Sequence, residues 1–413
     1  MILRVIVAML FLAGISEPCR ASNTELGKLR RNQKIGRLTV LNLYADSKGI
    51  IVGAKLEDLS GAPVYLFQIE TVPQAFMWVD APAVSDQGIA HSLEHLLAGK
   101  GTKGRYLNLL KGMRLSQSTA ATTDDFNLYS FSSGTGVKGF FDQFHAWLEA
   151  LYSPDFSDLE AEREFFHFGV SSEDSKSTKS LIEEGSVYNE MQTAPGRYDY
   201  YFGLNKQILG ENSPFAYNIG GAPDAMRDVT PANIRKFYRQ HYTISSTTGF
   251  ILALDPKEDA GNFLQQISDE LDQFAGARAS ARKDSSAELP KYPIQPTMSK
   301  EIQFYLFPGN SISDPGEIRF GWKSASAKSQ LDIKLLQLFF HALGDGEQSV
   351  LHKSLVDSAE RKRESSAVSI ESTIFLQNSP FYPVEFVGLS GIPGAQLTKS
   401  TAEQLRRAIV MKI

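Results

Sequence analysis

The 413-residue chain contains a single cysteine, Cys19, which lies close to its N-terminus. If the leader described below is removed, no cysteine remains. Disulfides, thiolate metal ligands and a cysteine nucleophile are then excluded. Any metal site must be built from histidine and carboxylate. Runs of like charge are also missing, so no segment reads as an interaction tail. The formal net charge of −5 argues against nucleic acid as a partner, because phosphate binding needs a concentrated basic surface. Beyond the N-terminus no segment is long and apolar enough to span a membrane, so no span is expected in the mature chain.

What is present begins with a separate object. Arg4 supplies a positive charge, Val5 to Ile15 is almost wholly apolar, and Ser16-Glu17-Pro18 breaks the run. Cys19-Arg20-Ala21 then places small residues at the −3 and −1 positions of a cut after Ala21. The apolar run is too short for a hydrocarbon core of about 30 Å. Residues 1–21 therefore read as a secretory signal peptide, and the expected location is extracytoplasmic, either periplasmic or secreted. Residues 22–36 read as a loose N-terminal arm.

From Arg37 the pattern changes. Leu38 to Tyr44, Ile50 to Val52, Ala62 to Ile69 and Gln74 to Val79 read as strands. The chain turns helical at Ile89. Helical periodicity returns over Val137 to Tyr152, about Asp155 to Val170, and about Thr178 to Met191. Thr230 and Pro231 open a further helix as N-cap and first helical residue. Thr247 to Leu254 reads as a strand. An Ala/Arg/Ser/Lys/Pro-rich stretch, 275–296, reads as an interdomain linker. After it come a strand at Glu317 to Trp322, a helix at Gln330 to His341, a strand at Phe381 to Leu389 and a helix at Thr398 to Met411. The expected class is α+β: two similar sandwich-like domains, 37–274 and 297–413, each with helices on one face of a mainly antiparallel sheet.

Within the first helix stands His91-Ser-Leu-Glu94-His95. Histidines four apart lie on one helical face, about one turn from each other, and can grip one ion. Zinc suits an open site of histidine and carboxylate. Glu94 lies on the same side and can take a proton from a zinc-bound water. His-x-x-Glu-His is the inverted form of the usual zinc-protease motif. Zinc hydrolases hold the metal by three protein groups. Glu183 and Glu190 are seven apart, two turns of one helix, and either could bind while the other orients the histidines. His145, His167, His341 and His352 read as structural or surface residues on amphipathic helices.

These residues resemble a known family. Val84-Ser-Asp-Gln-Gly88-Ile-Ala-His91-Ser-Leu-Glu94-His95 is similar to the metal-binding stretch of the pitrilysin/insulinase peptidases, in which a Glu, six residues and a second Glu follow, here Glu183 and Glu190. Tyr188-Asn-Glu-Met191, Leu110-Lys-Gly112 before the strand Asp124 to Ser133, Ser213-Pro-Phe215, Gly220-Gly221 and Phe237 to Tyr242 resemble the presequence-protease branch. The resemblance implies a metallopeptidase acting on unfolded peptides, with one zinc ion per chain. His91, His95 and Glu190 become its ligands, Glu94 the general base and Glu183 the support behind the ligands. Residues 37–274 become the zinc-binding domain, and 297–413 a second domain of the same plan that binds no metal.

Two departures qualify these expectations. Thr119 stands where the family's substrate strand has asparagine, which puts that contact with the substrate backbone in doubt. Presequence proteases are also about twice this long, and their second half closes a chamber and supplies an Arg and a Tyr. The resemblance thus implies a partner chain that supplies that half, an enzyme that works as an open half-shell, or a truncated gene product. The rival from another class is a subunit that binds peptides or a partner chain without cleaving alone.

Overall fold

The structure, a computed structural model, describes residues 25–112, 116–123, 125–171, 179–193, 199–210, 213–275, 302–304, 314–323, 330–357, 365–375 and 384–412. The signal-peptide segment and nearly all of the linker stretch lie outside these residues.

The first layer is an eight-stranded sheet. Its strands are β1 (Lys34–Ile35), β2 (Leu38–Ala45), β3 (Ile51–Asp58), β4 (Pro63–Gln68), β5 (Gln74–Asp80), β6 (Ser116–Thr122), β7 (Phe126–Ser133) and a later strand, Thr248–Leu254. The spatial order places that later strand between β4 and β5, and puts β7 and then β6 at the far end. It runs parallel to β4 and antiparallel to β5, and the other pairs are antiparallel. Alternation explains its two faces. In β4 and β5 every second residue (Val64, Leu66, Ala75, Met77, Val79) is buried and the residues between are half-buried. Helices cover the buried face.

The helices of this part of the chain are α1 (Ile89–Gly99), α2 (Gly101–Gly112), α3 (Gly136–Tyr152), α4 (Asp158–Phe165), α5 (Ser186–Thr193), α6 (Asp199–Leu209), α7 (Pro223–Met226), α8 (Pro231–His241) and α9 (Ala260–Ala275). The long α3 anchors the core. Phe140, Phe144, Trp147 and Leu151, spaced at helical intervals, are all buried. Phe140 stacks on Phe144 at 5.6 Å and meets Phe263 of α9 at 5.1 Å. Thr230 caps α8 by accepting from the Asn233 backbone, with Pro231 at the first helical position, as the sequence predicts.

Two expected helices are shorter than their periodicity suggests. The helix expected over 155–170 stops at Phe165, and β8 (His167–Ser171) follows. The helix expected over 178–191 is instead β9 (Ser180–Glu184), Gly185 and α5. β8 and β9 pair as an antiparallel hairpin. His167 is accordingly a strand residue, not a helical one. Gly185 makes the strand-to-helix corner with φ 151, and a Cβ there would meet the Phe165 carbonyl at 2.5 Å. A side chain is therefore excluded by backbone conformation and by space.

Numbering the strand at 248–254 as β10, a second sheet follows from β11 (Gly316–Lys323), β12 (Ser369–Phe375) and β13 (Val384–Ile392), all antiparallel in the order β11-β13-β12. Helices α10 (Gln330–Gly344), α11 (Val350–Leu355) and α12 (Lys399–Val410) accompany it. Phe340, Leu351, Leu355, Val387, Leu389, Leu405 and Ile409 form its separate core. A small cluster of Leu209 and Phe386 joins α6 to β13. The chain is a mixed α+β protein dominated by antiparallel sheet. No helix among the described residues is long and apolar enough to cross a membrane.

Candidate metal centre

Helix α1 begins at a close approach of backbones. Gly88, with φ 62, precedes it, and a Cβ there would lie 2.5 Å from the Gly220 carbonyl. Glycine lets the 218–222 loop press against the start of the helix. Asp86 fastens the same loop. One carboxylate oxygen accepts from the Asn218 backbone at 2.7 Å and the other from Lys206 at 3.2 Å, while the Asp86 carbonyl accepts from the Ala222 backbone at 2.7 Å. Beneath the helix, the buried Asn127 amide donates to the Ala90 carbonyl at 2.9 Å and to the Tyr242 hydroxyl at 2.8 Å. The first turn of α1 is thus held from two sides.

Its position decides where the histidines point. His91 donates from Nδ1 to the Gly220 carbonyl at 3.1 Å, and His95 from Nδ1 to the Glu164 carboxylate at 3.1 Å. A carbonyl can only accept, so the proton of neutral His91 sits on Nδ1 and Nε2 keeps its lone pair. The two Nε2 atoms converge on Glu190 of α5, at 3.8 Å from His91 and 3.5 Å from His95. Glu94 lies beside them, and single donor atoms of His91, Glu94 and His95 all fall within 4.8 Å of one another. The structure therefore brings together four of the five residues singled out in the sequence. They line one cleft of about 370 Å³, with Ala120, Ala121 and Thr122 of β6, Met191 of α5 and Asn218 to Gly220.

The fifth residue lies elsewhere. Glu183 is the penultimate residue of β9, and its partners are not the histidines. Its carboxylate receives Arg227 Nε at 2.7 Å and a second Arg227 nitrogen at 2.9 Å, and also accepts from the Tyr188 hydroxyl. No hydrogen bond or ion pair joins it to His91 or His95 among the described residues. The expectation that it supports the histidines directly is corrected. The two-turn spacing from Glu190 has no meaning across the Gly185 corner.

The residue that fills that role is Glu164 of α4, which sequence reasoning missed. It is 4% exposed and meets His95 with one oxygen. The other oxygen receives Lys100 Nζ at 2.7 Å and Ser186 Oγ at 3.0 Å. Burial opposes its ionisation, but the hydrogen bonds from His95 and Lys100 outweigh it and hold the carboxyl down at about 2. Glu164 is therefore an anion at neutral pH. It ties α1 and α4 to the start of α5, which carries Glu190. Burial lowers His91, whereas for His95 Glu164 overcomes the burial effect and raises it. Burial also raises Glu94, and Glu190 pushes the same way against His95.

The donor set fits zinc: two imidazoles with Nδ1 already engaged, free Nε2 atoms facing one carboxylate, and an anion behind one ring. Glu164→Gln keeps the shape but weakens the acceptor. It is expected to lower zinc affinity about 10- to 100-fold, measured by competition with a chromophoric chelator. Unchanged affinity would remove Glu164 from the centre.

No family model matches the chain. In sequence it is similar to the mitochondrial presequence protease of Yarrowia lipolytica, 24% identical over 330 residues. That match takes in 76% of this chain and 30% of the relative, so the chain spans about a third of the relative's length. In fold it is similar to a protease from Helicobacter pylori, with TM-score 0.57, 15% identity and coverage of 87% of this chain and 78% of that one. The inactive domain of an M16 peptidase from Pseudomonas fluorescens gives TM-score 0.56 at 15% identity, covering 90% and 79%. Pitrilysin gives 0.56 at 12% identity, covering 91% of this chain and 37% of pitrilysin.

Proposed function

We propose that this chain, which belongs to the pitrilysin/insulinase (M16) peptidase family on its presequence-protease side, is a zinc-dependent endopeptidase acting on unfolded peptides outside the cytoplasm. The convergence of His91 Nε2, His95 Nε2 and Glu190 beside the buried Glu94 carries the reading. In it His91, His95 and Glu190 hold one zinc ion. Residues 37–274 form the peptidase domain, and 297–413 a second unit of the same plan.

When bound, zinc supplies Lewis acidity, polarising a scissile carbonyl and making water acidic enough to attack near neutral pH. The protein's own groups do the rest. Glu94 is 8% exposed, and burial favours its protonated form. Such a carboxylate accepts a proton from the attacking water and returns it to the departing amine. Gly220 and Glu164 fix the two rings so that neither nitrogen has to reorient during the reaction. Strand β6 ends the sheet order, and its Ala120 to Thr122 stretch lines the cleft. An extended peptide can add there as a further strand through main-chain bonds. Folded substrates cannot, because their strands are already paired.

The test is cleavage of an unstructured peptide by the purified chain, before and after chelation. Hydrolysis that stops on chelation and returns with one equivalent of zinc supports the reading. Cleavage only on addition of a second chain would assign this protein to half of a two-chain enzyme. Hydrolysis indifferent to chelation would reject zinc catalysis.

A further inference from the structure

One residue of the cleft lining, Asn218, has no part in the metal chemistry. It belongs to the loop that presses against the start of α1, and with Ile219 and Gly220 it lines the cleft. Asn218 is 6% exposed and is locked from two sides. Its backbone N–H is held by Asp86 at 2.7 Å, and its side-chain Oδ1 accepts from the Gly220 N–H at 3.1 Å. That second bond settles which end of the amide is oxygen, since a backbone N–H needs an acceptor. Among the described residues the side-chain bonding of Asn218 is to its oxygen, and the NH2 end donates to no protein group. Outside the histidine–carboxylate set, Thr122 and Asn218 are the polar side chains among the residues lining the cleft.

An unused, rigidly held donor pair in a peptide-sized cleft has a natural complement. The carbonyls of an extended peptide project alternately to its two sides. One set can pair with the edge of β6, and the other is left for donors elsewhere in the cleft lining. We infer that Asn218 Nδ2 donates to a main-chain carbonyl of the bound peptide and so fixes its register in the cleft. This makes Asn218 a substrate-positioning residue that recognises backbone rather than side chain. The inference rests on the peptidase reading above for the identity of the ligand.

The two ends of Asn218 can be separated. Asn218→Asp keeps the oxygen that receives Gly220 N–H and removes the donor. Asn218→Ala removes both. The measurement is binding of a fluorescently labelled unstructured peptide to the full zinc-loaded chain carrying Glu94→Gln, with zinc content read in parallel. A single neutral hydrogen bond predicts weakening of about three- to tenfold for Asn218→Ala. At least as large a loss is expected for Asn218→Asp, with zinc content unchanged. Binding of Asn218→Asp within twofold of its parent would overturn the inference, as would loss of zinc from that variant or a parent that binds no peptide. If the parent binds peptide but holds no zinc, and the chain with Glu94 intact does not cleave, the peptidase reading fails separately, and the Asn218 comparison still decides whether the loop binds peptide.

Discussion

Glu94→Gln is expected to slow peptide hydrolysis by about 10²- to 10⁴-fold while leaving zinc at one ion per chain. Glutamine matches glutamate in shape, so the cleft keeps its form. It cannot accept the proton of an attacking water. The substitution also removes a carboxyl whose ionisation burial disfavours, so the folded chain should not be weakened. Metal content by elemental analysis and single-turnover cleavage would be measured on the same sample. Undiminished cleavage would show that the base is another group. Loss of zinc together with activity would make Glu94 a ligand rather than a base.

The second large effect separates two ligands by their surroundings. His95→Ala and Glu190→Gln should each strip zinc from the chain and end hydrolysis, because each removes one of three ligands. Their effects on the metal-free fold should differ. His95 shields the 4%-exposed Glu164 and fills part of the hydrogen-bonding capacity of its carboxylate. Removing the ring leaves that oxygen buried without its partner, at a cost of about 1–3 kcal/mol. Lys100 and Ser186 still hold the other oxygen, which limits the loss. The Glu190 side chain is 53% exposed, and a change there should stay within about 0.5 kcal/mol. Denaturant unfolding of the chelated variants would show the contrast. Equal stability of the two would contradict the supporting role given to Glu164.

Much of the site could be read in the sequence because it sits on one element. His91, Glu94 and His95 need only the helical repeat to meet, and Gly88 marks where the helix begins. Glu190 was reachable only through its spacing from Glu183, and that spacing rested on a single helix that does not exist. Helical periodicity over so few residues cannot be told from a short hairpin followed by a turn of helix. The corner at Gly185 is set by its approach to Phe165, a contact made in three dimensions. Glu164 was not legible. It lies 69 residues from His95, in a stretch with acidic neighbours at 160 and 162, and only the packing of α4 against α1 selects it. Asn127, beneath the first turn, is hidden for the same reason. The sheet was easier to read. Its strands β4 and β5 alternate cleanly, and the helices cover the face that the alternation buries. What no local pattern could give is the insertion of β10 between β4 and β5, because that neighbour arrives after more than a hundred intervening residues.

The central claim is the composition of the metal centre, and anomalous scattering from a crystal of the purified chain at the zinc edge tests it directly. The account predicts one strong peak within bonding reach of His91 Nε2, His95 Nε2 and a Glu190 oxygen, with Glu164 behind His95 and Glu183 still on Arg227. A zinc-saturated crystal without a peak at that position, or with Glu183 in place of Glu190 on the metal, would contradict it.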